Sequence, residues 1–204
     1  MKFLFVFFTL FLTFLVQPAF AVELGDLEKL LKQHQIYQVD FTQKKTIPFL
    51  KKPFVSSGNL IFHHKKGIFW NSTKPLTQSL VISAKGLFEV KNNRPEALAG
   101  AANSSLFSAK LFEFFGGDLG SLQETFELVL AQDAKGYKVT MAPKGQALKS
   151  FLKSIVLKVD SQGKLREIQI FEANQSSSKI TLGPYKILTG LGKKEKLVYE
   201  QIQH

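Results

Sequence analysis

The chain has 204 residues, a formal net charge of +11 and no cysteine, which excludes a disulfide scaffold and thiolate chemistry. Its basic residues are nearly all lysine, since Arg94 and Arg166 are the only arginines. Proteins that read nucleic acids rely on the arginine fork to contact bases and phosphates. The charge therefore favours an anionic membrane surface or an acidic partner, and we expect no nucleic-acid partner.

The first 21 residues predict a secretory signal peptide. Lys2 precedes an uncharged apolar run over residues 3–16, and residues 18–21 provide the small side chains of a cleavage site. The apolar run is shorter than the roughly 20 residues of a membrane span, and an uncleaved anchor is the alternative. We expect cleavage after Ala21, a periplasmic protein, and no lipid attached to the mature chain, because no cysteine follows the signal.

The elements predicted after the signal are mostly short strands. Leucines at helical spacing over residues 24–35 predict an amphipathic helix. Alternating apolar and polar residues predict a meander of strands over 37–90, and a loop rich in small residues follows over 91–105. A second helix over 106–115 ends at two glycines, and further strands run from 126 to 182. About ten antiparallel strands form a sheet that curls and buries one face, so helices must cover its concave side.

The length and the lack of a linker predict one domain. We place it at residues 22–188, after the signal peptide at 1–21. The remaining residues, 189–204, are rich in lysine and glycine and show little periodicity. We expect this tail to be partly ordered at best.

The helix over 106–115 is apolar around more than half of its circumference, which is wider than the stripe of a surface helix. Flexible segments flank it on both sides. This pattern is typical of a lid over a lipid cavity, and equally of a core helix that closes the barrel with nothing inside. Since each CH₂ group kept from water contributes roughly 0.8 kcal/mol, an acyl chain that crosses an aqueous compartment needs an apolar enclosure. The lid interpretation is consistent with that need.

No motif in the sequence predicts catalysis or metal binding. The chain lacks the Gly-x-Ser-x-Gly elbow and the His-Glu-x-x-His motif. His63 and His64 are neighbours on a predicted strand, so we expect them to point to opposite faces and not to share a metal. We therefore expect no cofactor and no enzyme activity, and a secreted enzyme is the least favoured alternative.

Four motifs in order over residues 41–86 resemble the LolA family of periplasmic carriers of outer-membrane lipoproteins. They are Phe-Thr-Gln at 41–43, Gly-Asn-Leu at 58–60, an aromatic strand that ends in Trp70 with Pro75 after it, and Val81 with Gly86. The resemblance implies a mainly β fold with some helix, an incomplete antiparallel barrel of ten to eleven strands under a helical lid. It also implies a carrier that takes acyl chains from an inner-membrane transporter to an outer-membrane receptor.

One feature that the resemblance implies is missing from the sequence. Family members have an arginine before the Trp strand that latches the lid, whereas residues 63–66 here read His-His-Lys-Lys. Lys65 and Lys66 are the candidates to replace it, although lysine lacks the planar fork of arginine. The chain therefore resembles a divergent branch of the family, and a lipid other than a lipoprotein is an open alternative for the cargo.

We predict two sets of functional residues and a monomer. The alternative function is a binding module on the same fold that senses mislocalised lipoproteins. The predicted lining of the lipid site is Phe41, Leu60, Phe62, Phe69, Trp70 and Ile82 on the sheet and Phe107, Leu111, Phe112 and Phe115 on the lid. The lysines predicted to contact headgroups or an acidic partner are Lys44, Lys45, Lys51, Lys52, Lys65 and Lys66.

Overall fold

A computed structural model describes residues 24–98 and 102–203, without the side chains of 102–108 and 203. The predicted signal peptide and its cleavage site lie outside the described residues.

One open antiparallel sheet of 11 strands organises the chain, in the order β6-β5-β4-β3-β2-β1-β11-β10-β9-β8-β7. Two meanders, β1 to β6 and β7 to β11, are joined where β1 pairs with β11. The predicted incomplete antiparallel barrel of ten to eleven strands is therefore confirmed. The strands are β1 Ile36–Thr46, β2 Phe54–His63, β3 Gly67–Lys74, β4 Gln78–Ser83, β5 Gly86–Lys91, β6 Arg94–Ala97, β7 Phe126–Asp133, β8 Gly136–Pro143, β9 Leu152–Asp160, β10 Leu165–Glu172 and β11 Ser177–Ile187.

Five helices accompany the sheet in the described part of the chain: α1 Leu24–Leu31, α2 Ala102–Phe115, α3 Leu119–Thr125, α4 Gln146–Lys149 and α5 Lys193–Gln203. None of these helices has both the length and the apolarity needed to cross a membrane. Strand β6 and the start of α2 fall within the segment 91–105, which the sequence predicted to be a loop. The Asn92–Asn93 turn, with both residues at positive φ, returns the chain to pair with β5, so residues 91–97 belong to a hairpin despite their composition.

The main core lies on one side of the sheet, called the inner face here, where α1, α2 and α3 cover both meanders. The buried residues of the strands alternate with exposed ones, because successive side chains point to opposite faces. In β9, for example, Ile155, Leu157 and Val159 are buried, whereas Lys158 is exposed. Leu27 and Leu31 of α1 lie four residues apart and are buried against the same cluster.

A second core lies on the opposite, outer face, where α5 covers β3, β4 and β5. Val198 and Ile202 of α5 pack there, and Tyr199 is almost fully buried. The prediction of a partly ordered tail was wrong. Its apolar positions do follow helical spacing, but lysine and glutamate surround so short a stripe that the periodicity is weak.

Candidate functional site

The inner face of the first meander brings together five of the six sheet residues predicted to line a lipid site. Directly paired residues point to the same face, and Leu60 pairs with both Val39 and Trp70. Phe62 and Ile82 each pair with Ile68 on the same face. The residues brought together are Phe41, Leu60, Phe62, Trp70 and Ile82, all buried except the half-buried Trp70.

Phe69 does not belong to this group, and its placement on the lipid-facing side was wrong. It precedes Trp70 in β3, so the pleat turns it to the outer face. There it is fully buried, with its ring centroid 6.2 Å from that of Tyr199 and 5.4 Å from the Nζ atom of Lys194. Phe69 therefore holds α5 to the sheet.

Helix α2 lies over β4 and β5 and directs its C-terminal half at the inner face. Leu111 and Phe115 are buried and Phe112 is half-buried. The ring centroid of Phe62 lies 6.3 Å from that of Phe112 and 5.7 Å from that of Phe115. Phe107 lies in the part of α2 whose side chains are outside the described set, so its predicted role stays a prediction.

The C-terminal end of α2 is held by a glycine cap. Gly117 has a φ of +72°, its N–H donates to the Phe114 carbonyl, and the Asp118 N–H donates to the Glu113 carbonyl, both at 2.9 Å. This pair of bonds is the Schellman motif, which requires a left-handed residue. A Cβ on Gly117 would lie 3.0 to 3.2 Å from atoms of Glu28, Leu31 and Lys32, so the cap also packs tightly against α1.

Two carboxylates join the three inner helices. The Glu28 side chain accepts hydrogen bonds from the N–H groups of Leu119 and Gly120, at 3.0 and 3.1 Å, and so ties α1 to the start of α3. Glu113 of α2 accepts a hydrogen bond from the Ser121 hydroxyl at 2.9 Å and pairs with Lys110 at 2.8 Å. These contacts make the junction of α1, α2 and α3 the fixed end of α2.

Further buried residues, which the sequence analysis did not assign to the site, lie on the inner side of the described structure. The second meander supplies a matching apolar face, predictable from the same alternation that marked the first. The additional residues are Leu27, Leu31, Phe114, Leu119 and Leu122 on the helices and Val139, Met141, Ile155, Leu157, Ile168, Ile180 and Leu182 on the strands.

Two parts of the inner side are less completely covered. Trp70, Leu80 and Leu87 are only half-buried in the region where α2 crosses β4 and β5. A groove of about 380 Å³ also opens between the ends of α1 and α2. The residues that line this groove are Leu31, Lys32, His34, Gln35, Phe62, His64, Phe115 and Gly116.

The buried Tyr37 and the half-buried Tyr185 stack beside Phe62 at the inner face. The rings of Tyr37 and Tyr185 stack with centroids 4.3 Å apart, and the Tyr185 hydroxyl donates to the Leu165 carbonyl at 3.1 Å. Burial raises the pKa of Tyr37 well above its usual value and that of Tyr185 to about 12. Both phenols are therefore neutral at any physiological pH.

The six predicted contact lysines divide between the two ends of the sheet. Lys44, Lys51 and Lys52 are exposed at the end that carries the β1–β2 loop. Lys45 is at the same end, on the inner face, and pairs with Glu172 at 2.9 Å.

Lys65 and Lys66 lie in the β2–β3 turn at the other end of the sheet. The Nζ atom of Lys66 lies 5.9 Å from the ring centroid of Tyr199, so this side chain contacts α5. The role of Lys65 or Lys66 in place of the latch arginine stays a prediction.

His63 and His64 are arranged differently from the prediction. Strand β2 ends at His63, and His64 begins a turn, so the alternation of a strand no longer applies. Their rings stack with centroids 5.2 Å apart, and burial, the neighbouring His64 and two lysines lower the pKa of His63. Within the described residues, no group of three or more histidine, aspartate or glutamate side chains is placed to hold a metal ion.

The described residues thus form an open antiparallel half-barrel whose apolar inner face is covered by helices. The sequence matches the family model of the outer membrane lipoprotein carrier protein LolA over residues 32–188. The chain belongs to the LolA family, and the predicted resemblance is confirmed.

Solved structures with similar folds share little sequence with this chain. A LolA superfamily protein from Nitrosomonas europaea is 10% identical, with a TM-score of 0.45, over 85% of this chain and 97% of that one. A putative outer membrane lipoprotein-sorting protein domain from Vibrio parahaemolyticus is 10% identical, with a TM-score of 0.47, over 89% and 97%. A chain of the Pseudomonas aeruginosa MucA/MucB complex is 9% identical, with a TM-score of 0.48, over 86% and 60%. No curated protein matches the sequence.

Proposed function

We propose that the protein is a monomeric periplasmic carrier that shields the acyl chains of a lipoprotein or another lipid between α2 and the inner face. It would receive this cargo from an inner-membrane donor and pass it to an outer-membrane receptor. Membership of the LolA family supports the proposal. The observation that carries it is the position of α2: its apolar face covers the inner face of the sheet, and its described anchors lie at its C-terminal end.

Because α2 side chains pack against the inner face, an acyl chain that binds there competes with some of them for the same contacts. Moving a chain of about 15 CH₂ groups out of water contributes about 12 kcal/mol. Each large apolar side chain of α2 that the cargo displaces into water costs about 1.5 to 3 kcal/mol, which offsets part of that gain. Cargo therefore binds reversibly, and a more apolar acceptor can remove it.

Lipid content and lipid uptake test the proposal directly. We expect native mass spectrometry of protein purified from its own envelope extract to show a bound long-chain lipid. We also expect a fluorescent fatty acid to titrate the delipidated protein saturably. Absence of both signals from folded protein would contradict the proposal.

Charged substitutions separate the lipid site from the fold as a whole. Trp70→Glu and Phe112→Glu place a carboxylate at half-buried positions on the inner side, and we expect each to weaken fatty-acid binding by at least tenfold. The matched control is Thr42→Glu, an exposed position on the outer face of β1, which should bind as the wild type does. Circular dichroism and urea unfolding establish that each variant is folded before its affinity is compared.

A further inference from the structure

One end of the sheet presents large apolar side chains to solvent. Phe49 is 93% exposed, Leu50 is 53% exposed and Leu76 is 73% exposed. A scattered exposed leucine needs no explanation, but a phenylalanine almost entirely in water at a loop tip is unusual enough to need one.

The strand register brings these side chains to the same end of the molecule. Phe49 and Leu50 lie in the β1–β2 loop, where the Leu50 N–H donates to the Ile47 carbonyl at 2.9 Å and closes a turn. Leu76 lies in the β3–β4 loop, and Ser57 near the start of β2 pairs with Lys74 at the end of β3. The two loops therefore leave the same end of the sheet, with the β1–β2 hairpin extending three residue pairs further than β3. The exposed apolar residues of both loops form what we call the apolar tip: Phe49, Leu50 and Leu76.

Lysines surround the apolar tip. Lys51 and Lys52 follow it directly in the β1–β2 loop, Lys44 is exposed on β1, and Lys74 is exposed beside Leu76. Within residues 24–98 and 102–203, no carboxylate forms an ion pair with any of these four lysines. Their charge is thus not neutralised by the described part of the protein.

We infer that this end of the molecule docks on an anionic phospholipid bilayer, with the apolar tip inserted and the four lysines against the headgroup phosphates. Separate protruding loop tips suit a fluid interface that closes around each side chain. A stable protein partner needs a continuous patch of about 800 Å², which isolated tips do not provide. Unpaired lysines complement anionic lipid, and each contributes about a fivefold gain in binding.

The docking end is continuous with the inner face. Phe54 is paired with Lys45, which points inward, and it is 49% exposed on the same face as Phe41. Phe41 in turn contacts Trp70, with ring centroids 4.4 Å apart. Docking by the apolar tip thus brings the edge of the inner face, marked by Phe54, to the side of the molecule that meets the bilayer. The inference goes beyond the proposed function and does not rest on it, because docking is measured without cargo.

Sedimentation with vesicles tests the charge requirement. The delipidated full chain is mixed with vesicles of phosphatidylglycerol and phosphatidylcholine, or of phosphatidylcholine alone. We expect binding to the anionic vesicles that weakens with added salt. Lys51→Gln combined with Lys52→Gln should weaken it by about 25-fold. The matched control, Lys135→Gln combined with Lys138→Gln at the opposite end of the sheet, should bind as the wild type does.

Insertion of the tip is tested separately. Phe49→Ser combined with Leu50→Ser should weaken binding to anionic vesicles at least tenfold, because the inserted apolar surface is lost. Ile187→Ser, at a position 61% exposed at the opposite end, is the matched control and should have no effect. In a Trp70→Phe background, Phe49→Trp introduces a single tryptophan, whose emission should shift to the blue and be quenched by brominated acyl chains.

Three results would overturn the inference: no binding of folded wild-type protein to anionic vesicles, equal losses in the matched controls, or a tryptophan emission of the Phe49→Trp variant that vesicles leave unchanged. The first, combined with saturable fatty-acid uptake, would leave the proposed function standing and make the apolar tip a docking surface for a protein. Vesicle binding without fatty-acid uptake would support the docking inference and contradict the carrier function.

Discussion

The cap at Gly117 provides a sharp test of how α2 is held. Alanine at this position must adopt a φ near +72°, which costs about 1 to 2 kcal/mol for a residue with a Cβ. The new methyl group would also meet Lys32, Glu28 and Leu31 at 3.0 to 3.2 Å, and crowding of this kind costs about 1 to 3 kcal/mol. We therefore expect Gly117→Ala to lower the free energy of unfolding by about 2 to 5 kcal/mol.

Gly116 is the matched control, because it is the neighbouring glycine and has no positive φ. A Cβ there would lie 3.4 to 3.5 Å from the carbonyl oxygens of Phe112 and Glu113, which is ordinary contact. Gly116→Ala should therefore be neutral or stabilising by up to about 1 kcal/mol. Urea unfolding followed by the fluorescence of Trp70, the only tryptophan, measures both variants.

The cap variants also show whether the C-terminal end of α2 stays closed when cargo binds, as a hinge would, or opens, as a latch would. If α2 moves about its fixed C-terminal end, the strain at Gly117 is present with and without cargo, so folded Gly117→Ala should bind fatty acid with wild-type affinity. A stable Gly117→Ala variant, or an equal loss in Gly116→Ala, would refute the account of the cap. A marked change in fatty-acid affinity would show instead that the cap opens when cargo binds.

Three further predictions concern the outer face and the second meander. Phe69→Ala should lower the free energy of unfolding by about 3 to 5 kcal/mol in urea titrations, without changing the fatty-acid affinity of the folded fraction. Tyr199→Phe should be neutral or stabilise by about 1 kcal/mol in the same titrations, because the buried Tyr199 hydroxyl has no hydrogen-bond partner among the described residues. Partial burial acts to raise the pKa of Glu167, but hydrogen bonds from Lys158, Lys179 and Gln169 outweigh it and lower the pKa to about 2. Ionised Glu167 therefore contributes at most about 3 kcal/mol to the free energy of unfolding, and solvent screening reduces this figure. The contribution is present above pH 4.5 and is lost as the pH falls towards 2. Acid titrations of Glu167→Gln should show a smaller loss over that interval.

The periodicity of apolar residues predicted most of the strands and helices. Alternation located the strands because one face of nearly every strand is buried, and the apolar segment 106–115 predicted a helix that covers them. The same rule would have corrected the site: neighbours on a strand face opposite ways, so Phe69 and Trp70 could not both line it. The lining prediction also stopped at β4, although Ile155 and Leu157 alternate just as clearly on the second meander.

The remaining features depend on contacts between distant parts of the chain. Helix α5 buries only a short stripe of apolar residues. The sheet residues against which it packs, Phe69 and Val81, lie more than 100 residues earlier in the sequence. The link from Glu28 to the start of α3 spans 91 residues. The exposed lysines lie at two ends of the sheet because of the strand register, which pairs Lys74 with Ser57. Amino-acid composition does not encode that register.

The covered inner face and the exposed apolar tip differ in their contact with water, and under the proposed function this difference separates binding of cargo from binding of the membrane. An apolar inner face left open would present a patch that promotes association between copies. Covering it with α2 removes that surface but makes incoming hydrocarbon compete with α2 side chains for the same contacts. Phe49 has no such competition, since nothing in the described structure covers it. If both proposals hold, the affinity of the protein for the membrane does not depend on cargo, whereas its affinity for cargo is reduced by α2, so lipid is released most readily where the protein is docked.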